Sequence, residues 1–66
     1  MKDFSLTLEQ VAKINAAHGG ANKVLCHGNT VELLNPLGEP EGWCAIRRDL
    51  VTGLCSLTDT RAALGY

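Results

Sequence analysis

Val24-Leu25-Cys26-His27-Gly28-Asn29-Thr30-Val31-Glu32-Leu33 is the stretch that decides the fold. Gly28-Asn29 is a two-residue turn of the Gly-X kind, which favours a type II′ hairpin. Lys23 to His27 then forms one strand and Thr30 to Leu34 the return strand. A tight turn pairs His27 with Thr30, Cys26 with Val31, Leu25 with Glu32 and Val24 with Leu33. Side chains alternate across a strand. Val24, Cys26, Val31 and Leu33 therefore share a wholly apolar face. Lys23, Leu25, His27, Thr30, Glu32 and Leu34 share a mixed one.

This register also bears on the adjacent Cys26 and His27, which at first sight suggest a metal or nucleophile site. Neighbouring strand residues point to opposite faces, so the two cannot readily grip one ion or share one proton. Cys26 is expected as a small core hydrophobe, the usual behaviour of free cysteine, and His27 as a half-exposed residue beside the turn.

Upstream, Thr7-Leu8-Glu9-Gln10 fits a capping box, with Thr7 as N-cap and Gln10 reaching back. Leu6 and Val11 sit where a hydrophobic staple places them. The helix runs from Leu8 to about His18, and Gly19-Gly20 ends it. At about 100° per residue, Leu8, Val11, Ala12 and Ile14 fall on one stripe, together with Asn15 and His18. The two polar residues are expected at the frayed edge, bonded to nearby backbone.

Downstream, Asn35 to Gly42 holds two prolines and two glycines and is expected as a loop. Glu39 and Glu41 make it acidic, and long ordered loops often carry function. Trp43 to Arg48 reads as a third strand, with Cys44 and Ile46 as the better core pair. Asp49 to Gly53 is a turn with Gly53 left-handed, and Leu54 to Leu57 a fourth strand. Thr58 or Asp59 then caps a short helix, Asp59 to Leu64, that Gly65 stops.

The expected fold is a single small α+β domain over residues 1–66, in the order α-β-β-β-β-α. A small antiparallel sheet of two β-hairpins carries the N-terminal helix on one face and the short C-terminal helix at its edge. The other face is then partly uncovered, leaving Leu25, Leu34 and Trp43 in solvent.

Size and composition bound the function. A chain of 66 residues buries only about 60% of its unfolded surface, so the core is thin. Its 45% hydrophobic content excludes a disordered chain, and no apolar run nears the ~18 residues of a membrane span. The opening residues lack the apolar centre of an export signal. With three cysteines, an odd number, reduced thiols in the cytoplasm are the simpler expectation.

Zinc needs about four converging ligands. Cys26, His27, Cys44, Cys55 and His18 show no such spacing, and neither the turn geometry nor the compartment favours a Cys44–Cys55 disulfide. A nucleophile–base pair could still assemble across the fold, Cys44 with His18 for example, but a domain this small rarely encloses the ~300 Å³ of a ligand pocket. No catalytic residue, metal or cofactor is therefore expected, and no enzymatic activity.

Arg47 and Arg48 point to opposite faces of the third strand. Arg47 and Trp43 share a face, as a base-stacking pair, a protein hot spot or a cation–π pair covering the sheet. A net charge of −1 places protein contact ahead of nucleic acid.

These features point to a non-enzymatic protein-binding module that inhibits or modulates a larger protein complex. Its contacts would come from Leu25, Glu32, Leu34, Glu39, Glu41, Trp43 and Arg47. Phage and mobile-element inhibitors, anti-CRISPR and other anti-defence proteins among them, are often this small, an association resting on size class alone. The alternatives are a small nucleic-acid-binding regulator using Arg47, Lys23 and Trp43, and a homodimer whose sheet face is its own interface.

Overall fold

The structure is a computed structural model that describes residues 3–40 and 45–65. Trp43, Cys44 and Glu41 thus lie outside the described residues. The fold is α+β, with a helix near each end. Its elements are β1 (Phe4–Leu6), α1 (Leu8–Ala17), β2 (Val24–His27), β3 (Thr30–Leu33), β4 (Ile46–Arg47), β5 (Cys55–Ser56) and α2 (Leu57–Leu64).

Local chemistry explains the first half. Gln10 N donates to Thr7 Oγ1 at 3.1 Å and Thr7 N donates to Gln10 Oε1 at 2.9 Å, closing the capping box. Gly19 takes φ +89°, open to glycine and costly for other residues, and α1 stops. The hairpin forms in the expected register, with Val24 opposite Leu33, Leu25 opposite Glu32, Cys26 opposite Val31 and His27 opposite Thr30. Among the described residues positive φ is confined to glycines, so Gly28 at φ +61° and Asn29 at negative φ make the turn type II′.

The second half departs from expectation. The strands divide into two antiparallel sheets, β2-β3-β4 and β1-β5. The expected second hairpin survives as one bridge, Arg48 to Cys55. β5 pairs instead with β1, an element the sequence reading left unassigned, through Phe4–Ser56 and Leu6–Cys55 with an irregularity between them. The third strand is shorter than expected within the described residues, since only Ile46 and Arg47 pair with β3. The last helix begins at Leu57, and its N-cap is Ser56, not Thr58 or Asp59. Ser56 Oγ accepts from Asp59 N at 3.1 Å, and Gly65 ends the helix at φ +83° as expected.

Val11, Val31, Leu33, Ile46 and Cys55 form the core, with Leu6, Leu8, Val24, Ala63 and Leu64 packed against it. Two expected placements are corrected. Cys26 is exposed. It lies opposite the core residue Val31, but on the outer strand of its sheet, and Arg48 Nη1 stands 3.7 Å from its Sγ. Leu34 is buried, only 9% exposed. The strand ends at Leu33, and the bridge from Leu34 to Pro40 turns the chain inward.

Asn15 is a third correction, since it sits inside the fold and not at a frayed edge. Its Nδ2 donates to Ala21 O and Leu34 O, both at 2.8 Å. Those bonds join the end of α1, the segment after it and the end of β3. Bonding to backbone is the expected part. The distance in sequence, 19 residues to Leu34, was not.

Candidate interaction surface

The side chains with chemical potential are held by neighbours. His27 Nε2 donates to Glu32 Oε1 at 2.8 Å, on the mixed face of the hairpin. Cys26 Sγ instead lies 3.7 Å from Gly28 O and 3.7 Å from Arg48 Nη1. The adjacent pair therefore diverges, as strand alternation requires. His18 Nδ1 sits 2.9 Å from Ile14 O, one turn back on its own helix. Cys55 is a free thiol in the core, and burial pushes its pKa up. Among the described residues no cluster of His, Cys, Asp or Glu is arranged to hold a metal. The Cys44–His18 pairing and the Cys44–Ile46 core pair involve a residue outside the described ones.

The two arginines take separate partners. Arg47 Nε and Nη2 donate to Asp59 Oδ2 and Oδ1 at 2.7 and 3.2 Å, and its backbone N also donates to Oδ2 at 3.0 Å. Its guanidinium stands 5.7 Å from the Phe4 ring centroid. The expected Arg47–Trp43 pair involves a residue outside the described ones; the ring that faces Arg47 among the described residues is Phe4. A fork held by a carboxylate on one edge and a ring on one face keeps little capacity for a phosphate or base. Arg48 Nη1 donates to Gly28 O at 3.3 Å, while its buried Nε has no partner among the described residues.

A polar clasp lies beside Arg47. Asp3 Oδ2 accepts from Ser56 Oγ at 2.6 Å, Oδ1 from Thr58 N at 2.8 Å, and Asp3 O from Leu57 N at 2.7 Å. The Ser56 and Thr58 bonds hold the Asp3 pKa at about 2, below the ordinary 3.8. Asp59 is also lowered, chiefly by the Arg47 hydrogen bond. A carboxylate depressed in the folded state adds stability above its unfolded pKa. That stability fades as pH falls through the folded one. The melting temperature is therefore expected to hold down to about pH 4 and drop toward pH 2, with a shallower drop in Asp3→Asn. Equal slopes in the two proteins would remove the clasp from the account.

Two turns present apolar side chains to solvent. In the first, Asn35 Oδ1 accepts from Leu37 N at 3.0 Å and from Glu39 N at 2.9 Å, and Asn35 N donates to Glu39 O at 2.8 Å. Leu37 is 83% exposed, and Glu39 stands exposed beside it. In the second, Val51 N donates to Asp49 Oδ1 at 3.0 Å, Gly53 N to Asp49 O at 2.7 Å and Asp49 N to Leu54 O at 2.8 Å. Leu50 and Val51 are 66% and 93% exposed.

Of the expected contact residues, the structure exposes Leu25, Glu39 and Arg47, half-covers Glu32 and buries Leu34. Glu41 and Trp43 lie outside the described residues. The exposure of Leu37, Leu50 and Val51 was not read from the sequence, although an apolar side chain inside an Asn- or Asp-led turn was visible there. An open cleft of about 320 Å³ is lined by Asn15, His18, Gly20, Leu33, Pro36 and Leu64 among others. No helix of the described residues is long and apolar enough to cross a membrane.

Compared with protein-family models, curated proteins and solved structures, the chain shows no match.

Proposed function

We propose that this chain is a non-enzymatic, cytoplasmic protein-binding module that inhibits or modulates a larger protein complex. The observation that carries this is the pair of hydrogen-bonded turns holding Leu37, Leu50 and Val51 in solvent. Exposed apolar side chains are a solubility cost that contact surfaces justify. Backbone already held by these turn hydrogen bonds loses little freedom on binding, which favours affinity.

The engaged state of His27 and Arg47 supports binding over catalysis and over nucleic acid. Affinity capture from host lysate, followed by reconstitution with purified components and calorimetry, tests the proposal. Leu50→Asp with Val51→Asp is expected to weaken the reconstituted complex about 100-fold, equal to roughly 2.7 kcal/mol. Unchanged affinity would remove the second turn from the interface. A steeply salt-sensitive complex with DNA or RNA would favour the nucleic-acid alternative.

A further inference from the structure

We propose that β2 is a dimerisation edge, and that it pairs antiparallel with β2 of a second copy of this chain, Leu25 lying on the two-fold axis. In an antiparallel ladder, residues alternate between bonding one neighbour strand and the other. Arg48 N donates to Asn29 O at 2.7 Å, and Val31 is paired with Ile46. Odd-numbered residues of the β3 segment thus bond toward β4, and Thr30 and Glu32 bond toward β2. Their partners are His27 and Leu25. Val24 and Cys26 consequently aim both N–H and C=O away from β3.

β2 is the outer strand of its sheet, and Leu25, Cys26 and His27 are exposed. Natural edges are usually blunted by a proline, a bulge or a covering segment. β2 contains no proline, and its pairing with β3 is regular over all four positions.

The edge is complementary to itself. With Leu25 on the axis, Val24 of each copy meets Cys26 of the other as a hydrogen-bonded pair. Leu25, 39% exposed, meets its own copy as a non-hydrogen-bonded pair, where side chains approach most closely. Lys23 falls opposite His27 of the second copy. Among the described residues Lys23 has no ion-pair partner. It would there approach a His27 already joined to the Glu32 carboxylate. A second copy also adds burial to a chain too short to bury much of its own surface.

Sedimentation equilibrium of the full chain, with protein raised to about 1 mM where weak self-association still shows, tests the proposal. The expected result is a concentration-dependent shift from 7.1 kDa toward twice that mass. Leu25→Arg sets two like charges face to face and is expected to weaken the dimer at least about tenfold. Cys26→Pro removes an outward-facing donor while sparing the bonds to β3, and should do the same with unchanged far-ultraviolet circular dichroism. Leu25→Cys, oxidised with diamide, is expected to give a dimer in which peptide mapping finds the two introduced thiols joined. A chain that stays monomeric at every concentration overturns the proposal, as does a dimer that persists in Leu25→Arg or a disulfide map without that link.

Discussion

Asn15→Ala should destabilise the fold by about 2–4 kcal/mol, because a buried amide donor is lost and carbonyls inside the fold are left short of a partner. Gly20→Ala should cost a similar amount for a different reason. A Cβ at Gly20 would fall 2.7 Å from Asn15 Cγ and closer still to its oxygen. Gly20 does not have positive φ, so alanine suits its backbone and the whole cost is the collision. The Asn15 amide cannot retreat without surrendering its bonds to Ala21 O and Leu34 O. Once Asn15 is alanine the obstacle is gone. The double variant should therefore be little less stable than Asn15→Ala, a coupling of about 2 kcal/mol in a double-mutant cycle. Urea titrations of the four proteins measure it. Additive costs would show that the glycine and the amide do not share one space.

Ile46→Ala should cost about 3 kcal/mol, against less than about 0.5 kcal/mol for Cys26→Ala. Ile46 is fully buried among Val11, Val31 and Cys55. Cys26, assigned by alternation to the apolar face of Val24, Val31 and Leu33, is exposed. In a chain near the lower end of the roughly 5–15 kcal/mol range, losing Ile46 would remove a large part of the stability. Thermal melts of both variants decide between core and edge. Equal losses would return Cys26 to the interior.

Features closed by neighbouring residues are legible in this sequence, and those closed by distant ones are not. The capping box and the two-residue hairpin are written in adjacent residues. Each is closed by bonds between neighbours, so Thr7, Gln10, Gly28 and the register from Val24 to Leu33 were legible. β1 was not, because Phe4–Leu6 is three residues long and finds its partner about fifty residues away. Ser56 was misread for a related reason. Ser56 and Asp59 have the spacing of a capping pair, but a fourth strand through Leu57 claimed the serine first. Cys26 and Leu34 show the limit of alternation. It fixes which way a side chain points, and says nothing of whether helix, loop or water lies there. The candidate surface was legible only in part. The turns that carry Leu37, Leu50 and Val51 are closed by backbone donors converging on Asn35 and Asp49, and composition does not reveal that.

The clasp between Asp3 and the segment from Ser56 to Thr58 has a consequence for biosynthesis. Contacts at such separation form only after a large loop has closed, and slow the search for the folded state. During translation, β1 is made before β5 and keeps its backbone edge open until residues 55 to 58 can reach it. The helix and hairpin between them can form from their own residues, while the clasp and the β1–β5 ladder can close only afterwards. Over that interval the nascent chain would offer proteases and chaperones an unpaired strand.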